Sequence, residues 1–68
     1  MTQKKIILKH LKDYGSIEPL EALGDYGIYR LASRISELRD AGYKIKTEKV
    51  QKLNRFGKKI QFAKYVLQ

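Results

Sequence analysis

The sequence predicts an α+β fold in which three helices precede a two-stranded β-hairpin. Three observations lead there: helical spacing of apolar residues up to Gly42, a switch to period-two alternation after it, and the turn composition "NRFGK" in the middle of the alternating part. With 68 residues the chain is read as a single domain, residues 1–68. A domain of that size buries only about 60% of the surface its unfolded chain exposes, which leaves little room for a deep pocket.

The first helix is expected over residues 2–13. Thr2 can cap it, Ile7, Leu8, Leu11 and Tyr14 fall on its inner side, and Gly15 ends it. Ile17 then leads into Glu18 and Pro19. Proline suits a first helical position because its missing N–H would be unpaired there, and Glu21 is placed to reach back as a capping-box acid. The second helix spans about residues 19–24, and "GDYG", residues 24–27, reads as a turn. The third runs over residues 28–41 and stops at Gly42. At 100° per residue it sets Ile28, Leu31, Ala32, Ile35 and Leu38 in one apolar stripe, with Tyr29, Arg30, Ser33, Arg34 and Glu37 opposite.

"YKIKTEKV" and "KIQFAKYVL" alternate and are rich in β-branched residues, predicting strands over about residues 43–50 and 59–67. Asn54 and Gly57 between them make an antiparallel hairpin whose tip carries Lys52, Arg55, Lys58 and Lys59. Three helices, a short turn between the second and third, and a C-terminal hairpin wing form the element order of a winged helix-turn-helix.

Charge placement supports a polyanionic partner. Residues 1–42 hold seven basic side chains against six acidic ones, while residues 43–68 hold eight basic side chains against Glu48 alone, so nearly all of the net charge of +8 lies in the last third. The absence of cysteine and the single histidine exclude a disulfide scaffold, a Cys/His zinc site and thiol catalysis. No apolar run approaches the roughly 20 residues that span a bilayer, and the first 15 residues have too short an apolar stretch for a signal peptide. The expectation is a reducing, cytoplasmic, nucleoid-associated setting, with no membrane partner, cofactor, metal or enzymatic activity.

Residues 15–48, "GSIEPLEALGDYGIYRLASRISELRDAGYKIKTE", resemble the short winged helix-turn-helix proteins of bacteriophages and prophages. In these, a Gly-Ser-Ile opening leads into Leu-Glu-Ala, a Tyr-Gly-Ile turn, a Leu-Ala-x-Arg-Ile-x-x-Leu-Arg helix and a Gly-Tyr-x-Ile strand. In the hairpin only "KYVL" matches. The resemblance implies a DNA-binding regulator or a small accessory factor of recombination. Where relatives usually carry Thr or Ser as a helix cap, this chain has Glu18; its carboxylate favours the helix N-terminus but repels phosphate, which weighs against a backbone contact there.

The candidate base-contacting residues are Tyr29, Arg30, Ser33 and Arg34, with Arg30 and Ser33 foremost. Arginine offers a bidentate fork to guanine or phosphate, serine can bond either, and tyrosine can reach a phosphate or pack on a thymine methyl. The candidate backbone contacts are Lys46, Lys52, Asn54, Arg55, Lys58 and Lys59, which would add affinity with little sequence preference. Each has a plainer reading. The helix face can be merely solvated, with Arg34 or Arg30 pairing Glu37. Lys44, Lys46 and Lys49 can guard a strand edge.

Phe56 more often folds back on its own hairpin than wedges into DNA. Arg39 is read as structural, its stem on the core edge and its guanidinium on an acid such as Glu21. Lys4, Lys5, Lys9 and Lys12 form a solvated face, with a flanking phosphate contact from Lys4 or Lys5 as the alternative. His10 has no expected partner or catalytic role, and Glu18, Glu21 and Asp25 are read as solvated acids or as a patch for a protein partner.

Together these point to a sequence-specific double-stranded DNA-binding protein, monomeric or weakly dimeric and able to bind DNA cooperatively. It would act as a small phage-type transcriptional regulator or an excisionase-like recombination accessory factor. The alternative is a protein-interaction module that binds a host or phage protein, such as a recombinase or polymerase, without reading DNA. Single-stranded or RNA binding is weaker, since the strands lack exposed stacking aromatics.

Overall fold

A computed structural model describes residues 2–68. Helix α1 (Gln3–Tyr14) leads to the two-residue strand β1 (Ser16–Ile17), then α2 (Pro19–Tyr26), α3 (Leu31–Asp40), and strands β2 (Ile45–Leu53) and β3 (Lys59–Leu67). The α+β class and the hairpin wing are as expected. The sheet differs in having three strands in the order β1-β3-β2, all antiparallel. β1 pairs Ser16 with Val66 and Ile17 with Tyr65. Two residues are too short to show an alternating pattern, so this strand has no sequence signature.

Local chemistry sets the helix boundaries. The Thr2 side chain accepts from the Lys5 N–H at 3.2 Å and caps α1. At the other end the Gly15 N–H donates to Leu11 at 2.7 Å, and the Gly15 carbonyl accepts from Leu67 at 3.0 Å, tying the helix to β3. Pro19 opens α2, and Glu21 reaches back to accept from the Glu18 N–H at 3.0 Å. That helix continues through Gly24 and Asp25 to Tyr26, beyond the expected end.

The turn is therefore later and tighter than "GDYG". Gly27 sits at φ +68°, a conformation that costs a side chain little only when there is none. Its N–H donates to Leu23 at 2.9 Å and that of Ile28 to Ala22 at 3.0 Å, which closes α2, and α3 begins at Leu31.

The helices pack on one face of the sheet. Ile7 and Leu11 from α1, Ile17 from β1, Ala22 from α2, Ile28 from the turn, and Leu31, Ile35 and Leu38 from α3 meet Ile45 and Tyr65 at the root of the hairpin. Burial of each large aliphatic side chain stabilises the fold by about 1.5–3 kcal/mol. Two residues assigned inward lie outside: Tyr14 is 73% exposed, and Ala32 is exposed. Ile28 belongs to the turn and cannot set the helical phase. The stripe is consequently narrower, centred on Leu31, Ile35 and Leu38.

His10, for which no partner was expected, is buried between α1 and α2. Its Nδ1 lies 2.7 Å from the Tyr26 hydroxyl and its Nε2 lies 3.7 Å from a Glu21 carboxylate oxygen. The Tyr14 ring stands beside it, 4.7 Å between centroids. Arg39, expected to pair with an acid, instead donates through Nε and Nη2 to the Ile45 carbonyl at 2.9 and 2.7 Å. Its Nη2 also donates to Thr47 Oγ1 at 2.8 Å. The guanidinium carbon stands 6.0 Å from the centre of the Tyr65 ring.

Two stability measurements test this packing. Ile35→Ala should lower the unfolding free energy by about 2–5 kcal/mol in urea titrations, and a loss under about 1 kcal/mol would contradict its central place. The Tyr26 phenol is held above its ordinary value of about 10, first by desolvation of its partly covered ring and then by the Asp25 carboxylate. A folded value above the unfolded one leaves stability intact below about pH 10 and removes it as pH rises through the folded value. Tyr26→Phe should flatten that alkaline decline, and an unchanged profile would show that another group causes it.

Candidate nucleic-acid interface

The candidate interface has two parts, the N-terminal end of α3 and the hairpin. Tyr29 stands in the turn just ahead of α3 and is 85% exposed, and Arg30 occupies the N-cap position. Helices favour Ser, Thr, Asp or Asn at that position and acids in the first turn. Here Arg30 makes no capping bond, and the first turn holds no acid. A cation at the positive end of a helix dipole is locally unfavourable by about 0.3–1 kcal/mol, so folding does not account for it.

Ser33 lies one turn further on and is half-buried. Ala32 and Ser36, both exposed, join it on the outward side, and neither was picked out in the sequence. Their signal is size: three small side chains let a helix backbone approach closely. Arg34 is drawn into an ion pair. It is half-buried, with Nη1 2.8 Å from a Glu37 carboxylate oxygen, and the other Glu37 oxygen lies 3.8 Å from Lys4 Nζ on α1. Tyr29 and Arg30 thus stand exposed at the start of α3, while Arg34 is linked through Glu37 to Lys4 of α1.

Strand register sorts the hairpin cations. Directly opposed residues of antiparallel strands share a face, and the face alternates at every step. The helix-side face carries Ile45 with Leu67, Thr47 with Tyr65, Lys49 with Ala63, Gln51 with Gln61, and Leu53 with Lys59. The opposite face carries Lys46 with Val66, Glu48 with Lys64, Val50 with Phe62, and Lys52 with Ile60. Lys46 and Lys52 thus project away from Lys59. Lys49, ambiguous in the sequence, lies two residues beyond Thr47 on the side that Arg39 holds. On the far face Lys52 Nζ stands 5.4 Å from the Phe62 ring centre, which keeps both side chains against the strand.

At the tip, the Asn54 N–H donates to Lys58 at 2.8 Å and the Gly57 N–H donates to the Asn54 carbonyl at 3.0 Å. The Asn54 carboxamide oxygen accepts from the N–H groups of Phe56 at 2.9 Å and Lys58 at 3.0 Å. This is a three-residue hairpin loop closed by Gly57 at φ +80°, the conformation such a loop requires of its last residue. Asn54, a candidate backbone contact, thereby has its oxygen committed to the turn. Arg55 and Lys58 flank it, both exposed.

Among the described residues no group of three or more His, Cys, Asp and Glu side chains could hold a metal ion, and no helix is long and apolar enough to cross a membrane. Of the three acids around α2, Glu21 is occupied with its helix terminus and with His10.

An exposed helix end beside a basic β-ribbon is the arrangement of a winged helix-turn-helix. The family model described as winged helix-turn-helix domain matches residues 2–68, and the chain belongs to that family. Comparison with curated proteins and with solved structures found no significant match in either. Membership in the family suggests DNA as the partner.

Arg30 at the N-cap and Arg34 within α3 should separate in stability measurements. Arg34→Ala should cost about 1 kcal/mol through the lost ion pair and stem packing, whereas Arg30→Ala should stay within about 0.5 kcal/mol of the parent. Equal losses in urea titrations would mean that Arg30 too is part of the fold.

Proposed function

We propose that this protein is a sequence-specific double-stranded DNA-binding factor, with the N-terminal end of α3 in the major groove and the hairpin along the flanking backbone. The observation that carries the reading is the start of α3, where an exposed tyrosine and an uncapped arginine stand together at a position that helix energetics disfavour. The major groove, about 12 Å wide, admits a helix, and base edges there present distinct donor and acceptor patterns. Arg30 supplies the bidentate fork, Ser33 and Ser36 supply hydroxyls, and Ala32 can meet a thymine methyl. Arg34, committed to Glu37, contributes charge to the phosphates nearby.

Arg55, Lys58 and Lys59 at the tip, with Lys46, Lys49 and Lys52 along the strands, supply the sequence-independent attraction. Asn54 takes a lesser part, through its free amide nitrogen. The action is occupancy: a monomeric or weakly self-associating protein holds a site at a promoter or beside a recombinase, as phage-type regulators and excisionase-like factors do.

Fluorescence anisotropy at about 150 mM salt tests this on a duplex selected from a random pool and on its scrambled counterpart. The expected preference is about a thousandfold, erased by Arg30→Ala. With about five phosphates neutralised, the log–log salt slope should fall near −4 to −5, and Lys58→Glu with Lys59→Glu should abolish binding. Equal, salt-labile binding to both duplexes would contradict sequence reading and favour a protein partner.

A further inference from the structure

We infer that Phe56 is a wedge that enters the minor groove next to the groove α3 occupies, unstacks a base step and bends the duplex. The inference rests on the duplex-DNA reading above and assigns a role to a residue that reading does not use.

Phe56 is 87% exposed at the apex of the loop. Aromatic side chains in hairpins usually fold back on a strand, and this one stands in solvent instead. The two bonds to the Asn54 carboxamide oxygen and the two between Asn54, Gly57 and Lys58 hold the loop backbone in one shape, with Phe56 at its exposed apex. The far-face strand surface it might cover is already taken by Lys52 lying over Phe62. Leu53, on the last paired step, is also 67% exposed, so the tip is apolar in its centre and cationic on its rim.

That rim identifies the occupant. Lys52 projects from one face of the ribbon and Lys59 from the other, with Arg55 and Lys58 between them in the loop. A ribbon lying on a single surface would need cations on one side only. A ribbon entering tip-first between two walls of phosphate meets negative charge on both. The minor groove, about 6 Å wide, has such walls.

The reach agrees. From the step that pairs Thr47 with buried Tyr65 to the last step at Leu53 and Lys59 are six residues, about 20 Å at the rise of a β-strand. One turn of duplex is about 34 Å, so the neighbouring minor groove lies about half that distance from the major groove that holds α3. Apolar side chains inserted there kink DNA toward the major groove by about 20–90°, which would fold the duplex around α3.

The test uses the full chain and the tightest-binding selected duplex, carrying a donor and an acceptor dye at its ends. The parent protein should raise energy transfer on binding. Phe56→Ala, at a site with no packing partner, should keep affinity within about tenfold yet lose at least half of that rise, while Phe56→Leu, still an apolar wedge, should retain most of it. Binding by the parent with no change in transfer, or equal bending by Phe56→Ala, would overturn the wedge and leave the DNA reading intact. Failure to bind any duplex would remove both.

Discussion

The guanidinium of Arg39 is the joint on which the interface depends. It sits on the last turn of α3, yet three of its donor bonds go to the first residues of β2, two to the Ile45 carbonyl and one to the Thr47 hydroxyl, with the Tyr65 ring alongside. A planar fork can satisfy a carbonyl and a hydroxyl at once, which the single point charge of a lysine cannot do with the same geometry. The bond pair spans the loop between helix and strand, so the direction of α3 and the root of the hairpin are set together. Whatever α3 touches, the hairpin tip is already at a defined distance from it, and little orientational freedom is lost when both engage one surface.

The sheet carries this arrangement outward. β1 supports only the root of β3, through Ser16 and Ile17, and beyond it the hairpin continues as a two-stranded ribbon. An isolated ribbon is marginal in water. Here its root is anchored by buried Ile45 and Tyr65, and its far end is closed by four hydrogen bonds around Asn54. The long axis of the molecule, 39 Å against 22 and 20 Å across, reflects that projection.

Much of this was legible in the sequence, and the failures have physical causes. The Thr2 cap, the Pro19 start, the Glu21 back-bond and the glycine at the end of α1 were visible because each satisfies an orphaned helix-terminal group by short-range chemistry. The third strand was not, since two residues carry no periodicity. The sequence places the start of α3 three residues too early because Ile28 is buried by the turn and mimics a helical position, and the same shift in phase puts Ala32 in the core. The burial of His10 is not legible because Tyr26, whose hydroxyl it meets, is 16 residues away in sequence. Arg39 was correctly judged structural, but its acceptor is a backbone carbonyl, which residue type cannot reveal.

The outward side of α3 is built of residues on which the fold makes almost no demand. Ala32, Ser36 and Arg30 are exposed, and the helix is held instead by Leu31, Ile35, Leu38 and the Arg39 fork. Exchanging side chains there leaves the frame unaltered, so the cost of altering that surface is uncoupled from the cost of remaining folded. A domain this small has little stability to spare, and that separation lets the surface change one residue at a time without passing through an unfolded ancestor.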